Sequence, residues 1–330
     1  DHEHFSFVDN LVANHEPFSF VADVEKRGVP QVTKLNSVYS TSYPSSRSPS
    51  DILSGKSLFP TDDFQSEVVD EEPQWVLPEI EQLRNRLSPQ EYKELSCLLN
   101  EFARSFQQNK ADFGRSNVLE HKIELEPGAK PWKEGPRRMT PFKTEKANEE
   151  IRMLIKLGLI EPSFSPWACG IVMAKKKGNQ LRMCCDFRNL NAQTVKDAFP
   201  LPRVDNYISR LGNAKFFTCI DLASAFWQVP LRSSDREKTA FACELGLFQW
   251  TRMPYGLCNS PPTFQRTMTI VFKDVIQRYG SVVMCYIDDI VIATETAQEH
   301  LARLREIMTL LKGAGLKIDR KSTRLNSSHT

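Results

Sequence analysis

Two adjacent aspartates, Asp288 and Asp289, interrupt an otherwise apolar run, Val282-Val283-Met284-Cys285-Tyr286-Ile287-Asp288-Asp289-Ile290-Val291-Ile292-Ala293. Burying unpaired carboxylates costs several kcal/mol, so the pair limits how this run can fold. The β-branched residues on either side predict two strands meeting at a tight turn, with the carboxylates side by side at a hairpin tip. Asp-Asp is also common in solvated turns, so its surroundings decide its meaning.

A third carboxylate supplies those surroundings. Asp221 ends another apolar stretch, Phe216-Phe217-Thr218-Cys219-Ile220, and is followed by Leu222-Ala223-Ser224-Ala225-Phe226. Neighbouring strands of one sheet, each running into an acidic end, would bring Asp221 and Asp288 together from distant parts of the chain. Converging carboxylates with no His or Cys among them favour Mg²⁺ or Mn²⁺ over zinc, because hard oxygen ligands suit hard ions. The implied chemistry is phosphoryl transfer, with two ions about 4 Å apart serving the attacking hydroxyl and the leaving pyrophosphate.

Tyr286-Ile287-Asp288-Asp289 resembles the Y-x-D-D box of reverse transcriptases, and Ile220-Asp221 with Ala225-Phe226 resembles their first catalytic motif. From residue 131 to about 317 the chain is similar throughout to the polymerase of gypsy-type LTR retrotransposons. The likeness runs through Arg137-Arg138, Gly158-Leu159-Ile160-Glu161-Pro162-Ser163, Ser165-Pro166-Trp167-Ala168, Asp186-Phe187-Arg188-Asn189-Leu190-Asn191 and Phe199-Pro200-Leu201-Pro202. Ordered motifs are far more specific together than any one alone. The resemblance implies an α+β fold: a right-hand polymerase palm and fingers, with an antiparallel palm sheet backed by helices and the thumb truncated. It also implies RNA-directed DNA polymerisation in retrotransposon replication, extending a primer 3′-hydroxyl with dNTPs on an RNA or DNA template.

The same likeness assigns roles. Asp221 and Asp288 become metal bridges, Asp289 an outer contributor and the carbonyl of Leu222 a further ligand. Lys176 and Arg182 match cations that close on the incoming triphosphate, with Lys175 or Lys177 as alternatives to Lys176. Ser224 and Ala225 match positions whose backbone N–H groups hold that triphosphate. Phe226 matches an aromatic gate that leaves no room for a 2′-hydroxyl, whereas the plain reading of such a residue is core packing. Met253-Pro254-Tyr255-Gly256-Leu257-Cys258-Asn259-Ser260-Pro261 resembles a second motif in which glycine allows close approach to template and nucleotide. Retroviral enzymes carry Gln where Tyr255 stands, and gypsy-type elements an aromatic. Arg188, Gly256 and Tyr286 are expected at the template and primer.

Charge is distributed to match. Residues 1–120 hold 11 Lys+Arg against 20 Asp+Glu, while 121–330 hold 32 against 21, so the basic part coincides with the polymerase likeness. The eight cysteines never form C-x-x-C and read as buried free thiols of a reducing compartment. No apolar run approaches about 18 residues and no signal peptide opens the chain, which predicts an intracellular, cytoplasmic protein. By resemblance it would be particle-associated.

Four segments follow. Residues 1–73, poor in periodicity and ending in an acidic cluster, read as a largely disordered linker. Residues 74–125 form a helical extension, starting from Ser88-Pro89-Gln90-Glu91 as a capping box with a stripe of Tyr92, Leu95, Leu99, Phe102 and Phe106. Residues 126–319 are fingers and palm. They include a helix over 141–157 burying Ile151, Leu154 and Ile155, strands over 170–174 and 180–186, a helix over 261–278, and a helix opening at Thr296-Ala297-Gln298-Glu299. Residues 320–330 depart from the likeness and read as a cloning or assembly scar. No protease triplet is present, and the ribonuclease H and integrase parts of such a polyprotein are missing from this sequence. Two rivals remain: an RNA-synthesising polymerase, which Phe226 argues against, and a truncated, inactive nucleic-acid-binding remnant.

Overall fold

The computed structural model describes residue 84 and residues 87–109, 111–175, 181–202, 214–280, 282–320 and 323–327, all within the unit that takes in residues 73–330. The expected linker over 1–73 and the loop carrying Lys176 lie outside the described residues.

The first helix, α1 (Pro89–Glu101), starts as its capping box predicts. Glu91 N–H donates to Ser88 Oγ at 3.3 Å, and Ser88 N–H donates to Glu91 Oε2 at 2.8 Å. Its face of Leu95, Leu98 and Leu99 is buried. Helix α2 (Pro141–Lys156) buries Ala147, Ile151 and Leu154, whereas Ile155 is only partly covered. The chain leaves α2 through Gly158 at φ +65°, a left-handed exit that glycine adopts without a side-chain penalty.

Two small antiparallel sheets and a short helix follow. Strands β1 (Ile160–Pro162), β5 (Phe241–Cys243) and β6 (Gly246–Trp250) form a sheet in the order β1-β6-β5. Strands β2 (Ile171–Lys175) and β3 (Leu181–Cys185) pair as a ribbon, from Ile171 opposite Cys185 to Lys175 opposite Leu181. Helix α3 (Arg188–Gln193) comes next. Their shared core, with α2, includes Ile151, Leu154, Trp167, Phe187, Phe241 and Trp250.

The larger sheet contains β4 (Phe216–Asp221), β7 (Val283–Tyr286), β8 (Asp289–Thr294) and β9 (Arg324–Ser327), in the order β7-β8-β4-β9 and antiparallel throughout. Helices α4 (Ser260–Val271), α5 (Lys273–Tyr279) and α6 (Ala297–Gly313) share a second core with α1 and this sheet. The helix expected over 261–278 is two helices. Phe272 leaves helical geometry at φ −102° and ψ 12° while its ring is completely buried, so the break anchors the chain in the core.

Near the end of the chain, residues 324–327 supply β9, whose backbone covers the edge of β4 that would otherwise be an open pairing surface. The eight cysteines are free, but only Cys219, Cys243 and Cys285 are buried. Cys97 is exposed because helical periodicity turns it away from the Leu95, Leu98 and Leu99 face. No helix among the described residues is long and apolar enough to cross a membrane.

Candidate active site

Strand register brings the acids together. Asp221 is the ladder partner of Asp289, which places their Cα atoms about 5 Å apart with the side chains on one face of the sheet. Asp289 pairs on its other side with Tyr286, leaving Ile287-Asp288 as a two-residue turn. Thus Asp288 extends from the turn, and Asp289 rather than Asp288 stands directly across from Asp221.

That turn is strained. Ile287 has φ +54°, and Asp288 is not among the residues of positive φ, the pattern of a type II′ hairpin whose first central position favours glycine. A β-branched side chain there costs about 1–2 kcal/mol. Gln265, buried on α4, meets the turn with both ends of its amide. Ile287 N–H donates to Gln265 Oε1 at 2.7 Å, and Gln265 Nε2 donates to the Cys285 carbonyl at 3.3 Å.

A second buried glutamine serves the opposite acid. Gln228 donates from Nε2 to the carbonyls of Ala223 (2.7 Å) and Lys317 (2.9 Å) and accepts from Lys317 N–H (2.7 Å). It ties the loop after Asp221 to the segment that follows α6. Along that segment Ala223 N–H donates to the Lys317 carbonyl and Asp319 N–H to the Asp221 carbonyl. Because those neighbours make the bridge between Leu222 and Ile318, the carbonyl of Leu222 itself points away from that segment.

Tyr255 reports how these parts face one another. Loss of water around its hydroxyl pushes the pKa up, the charge of Asp288 adds to the rise, Arg182 opposes it, and Asp221 contributes a smaller push. One phenol therefore senses two of the acids and the cation expected at the fingertips. Cys285 is likewise raised by burial, then by Asp288 and Asp289. Arg182 is exposed on β3, opposite Ala174.

Phe226 is 8 % exposed and packs on Tyr255 (ring centroids 5.0 Å) and Phe264 (5.8 Å). The ring is thus part of the core and the support of Tyr255. Ser224 has φ +48° and precedes a 3₁₀ turn, Ala225–Gln228, whose first amides have no partner within the turn. Gly256 has φ +96°, so a side chain there would be strained. Asn191 steadies it, donating from Nδ2 to the Gly256 carbonyl at 2.8 Å and accepting Cys258 N–H at 2.9 Å. Arg188 is exposed but tethered, with Nε and Nη2 on the two oxygens of Asp186 at 2.8 and 2.7 Å. Arg188 first, and then Arg137, hold the Asp186 carboxyl well below the usual carboxylate range against burial. Tyr286, at the end of β7, is partly exposed.

Gln265 and Gln228 escaped the motif reading, and Asn191 entered it only as the end of the motif that starts at Asp186, with no role of its own. Their signal was a polar residue on a face that helical spacing marks as core, as with Gln265 beside Phe264 and Met268.

The donors available around the turn are three carboxylates and a backbone carbonyl, a set that fits Mg²⁺ or Mn²⁺. Among the described residues no three acidic, imidazole or thiol groups already stand in coordinating geometry. The backbone register sets Asp221 across from Asp289, with Asp288 on the adjoining turn.

Comparison with known proteins points to a family. A family model described as "Reverse transcriptase (RNA-dependent DNA polymerase)" matches residues 174–328, which include every acid above. The Pol polyprotein of transposon gypsy from Drosophila melanogaster is 34% identical over 183 residues, 54% of this chain and 17% of that protein. That of transposon opus, from the same organism, is 37% identical over 175 residues, covering 52% and 17%. The Tf2-3 polyprotein of Schizosaccharomyces pombe is 31% identical over 190 residues, covering 58% and 14%. The chain therefore spans about a sixth of the length of these curated relatives.

Among solved structures, a foamy viral protease-reverse transcriptase in complex with an RNA/DNA hybrid superposes with a TM-score of 0.67 at 26% identity, covering 74% of this chain and 33% of that one. The same kind of protein in complex with double-stranded DNA gives 0.67 at 25% identity, covering 76% and 52%. Sequence and fold point one way: residues 174–328 match the reverse transcriptase family model and are similar to the Pol polyproteins of gypsy-type retrotransposons.

Proposed function

We propose that this chain carries the polymerase centre of a retroelement, an RNA-directed DNA polymerase that extends a primer 3′-hydroxyl with dNTPs on an RNA or DNA template. The observation that carries the reading is the Asp221–Asp289 register with Asp288 on the adjoining turn. Asp221 and Asp288 would hold two Mg²⁺ or Mn²⁺ ions, aided by the Leu222 carbonyl and, from outside, Asp289. Bound there, the ions supply activation of the hydroxyl and charge stabilisation on the leaving pyrophosphate.

The chain's own groups do the positioning. Arg182 takes the triphosphate as a planar fork, and Lys176, or Lys175 or Lys177 in its stead, as a point charge. The backbone amides of Ser224 and Ala225 face the same phosphates. Phe226, fixed between Tyr255 and Phe264, closes the space beneath the sugar, and Tyr255 lines its edge. Arg188, held by Asp186, contacts the template backbone with the remainder of its fork, while Gly256 and Tyr286 lie along template and primer. Under this reading the protein works in the cytoplasm, within a particle, beside the protease, ribonuclease H and integrase parts of its polyprotein.

The test is primer extension on poly-rA with oligo-dT and dTTP, run on this chain and on a form extended past residue 330. Synthesis abolished by Asp288→Asn supports the reading. Synthesis that survives Asp288→Asn, or none from either form, overturns it. Product from the longer form alone would make this chain a nucleic-acid-binding portion of the polymerase.

A further inference from the structure

We propose that Gln265 is a positioning residue that keeps the Ile287-Asp288 turn in the single backbone conformation that presents Asp288 beside Asp221. The inference rests on the metal-site reading above and extends it to a side chain outside the ligand set.

Three observations carry it. Ile287 occupies a left-handed slot that suits glycine and disfavours a β-branched residue, so the turn needs an outside restraint. Among the described strands β7 pairs with β8 alone and so stands at the edge of the sheet. The Cys285 carbonyl there receives a side-chain amide instead of a strand. Gln265 is 3% exposed, and it accepts from Ile287 N–H while donating to Cys285, so one rigid amide spans both sides of Tyr286. An apolar residue in its place would remove the acceptor of the turn amide and one donor to the strand carbonyl, and release Ile287 toward negative φ. The turn would then carry Asp288 away from Asp221. Helix α4 is well suited to hold the amide still, because Phe264 and Met268 on either side of Gln265 are fully buried.

The experiment is Mn²⁺ titration followed by electron paramagnetic resonance, with thermal unfolding on each protein. Gln265→Met should weaken Mn²⁺ binding about tenfold or more, the usual effect of removing a group that orients a metal ligand. Adding Ile287→Gly should recover most of that loss, because glycine reaches positive φ unaided. Met268→Ala, on the same helix and away from the turn, should lower the melting temperature without moving Mn²⁺ affinity.

Unchanged affinity in folded Gln265→Met would overturn the proposal, as would a loss that Ile287→Gly fails to relieve. Hydrogen exchange of the Ile287 amide in the unaltered chain tests the clamp without any variant. Slow exchange is expected, and exchange as fast as an open turn would refute it. Failure of the unaltered chain to bind Mn²⁺ would count against the metal site itself, and the amide exchange would still judge the clamp.

Discussion

The palm sheet and the β2–β3 ribbon both present charge to the same place, and they hold it by opposite means. In the palm, Asp221 and Asp289 are fixed by backbone pairing, and Gln228 and Gln265 secure the adjoining loops from the core. On the ribbon, Arg182 stands exposed on β3. Nearby Arg188 is tethered by a carboxylate while remaining 84% exposed.

The difference follows from electrostatics. Three carboxylates repel one another, so they stay close only on a framework stiffer than their repulsion. Cations that meet a triphosphate are attracted to it and need reach more than rigidity. Under the proposed polymerase reading, acids fixed on a backbone ladder and a cation left on a surface ribbon suit a centre that would bind and release nucleotides at every step.

The largest expected effect tests the rigid side. Asp221→Asn or Asp288→Asn should reduce primer extension by more than about a thousandfold while leaving the melting temperature unchanged or higher, since each removes one repelling charge. A marked fall in melting temperature would show that the acids hold the sheet rather than the reverse.

Next comes acid. His300 on α6 sits between Thr218 of β4 (2.6 Å) and Thr294 of β8 (2.9 Å), and burial holds its pKa down to about 4. His121, against Thr263 at 2.9 Å, is also held down to about 4, with burial outweighing Asp235 and Asp197. Below about pH 6.5 the unfolded chain takes up protons that the folded one refuses until about pH 4. Stability is therefore full above pH 6.5 and declines between 6.5 and 4, by up to about 3 kcal/mol for each ring. Thermal unfolding across that range should show the decline, and His300→Gln should flatten its share. A profile unchanged by His300→Gln would remove the palm histidine from the account.

Phe226→Val sharpens the boundary between core and gate. The smaller side chain should cost about 2 kcal/mol of stability through the space left against Phe264, and it should admit ribonucleotides about tenfold more readily. Lower stability with unchanged sugar discrimination would leave Phe226 a core residue alone.

The smallest effect belongs to the exposed side. Arg182→Ala should raise KM for dNTP about tenfold while changing stability by less than about 0.5 kcal/mol. A stability loss as large as that of Phe226→Val would erase the contrast between the two regions.

Much of the fold was written locally. Continuous apolar runs marked β4, β7 and β8, the capping box at Ser88 marked α1, and acids ending apolar strands marked the candidate site. Local pattern was insufficient wherever the answer depended on a distant partner. The break at Phe272 comes from a ring seated in the core, and the exposure of Cys97 depends on which side of α1 meets the protein.

The amino-acid order alone thus placed the acids at the ends of apolar strands, because residue type and strand or helix spacing are properties of neighbouring positions, while the roles expected of the cations and the aromatic came through the motif resemblance. Tertiary structure decided which acid faces which, since a slip of one residue would turn Asp221 to the other side of the sheet. It also decided that Ile287 takes a glycine's conformation, that Gln265, 22 positions away, restrains it, and that Gln228 reaches Lys317 across 89. Those outcomes follow from hydrogen bonds closed only when the core assembles, and no periodicity in a linear chain records which buried amide will find which turn.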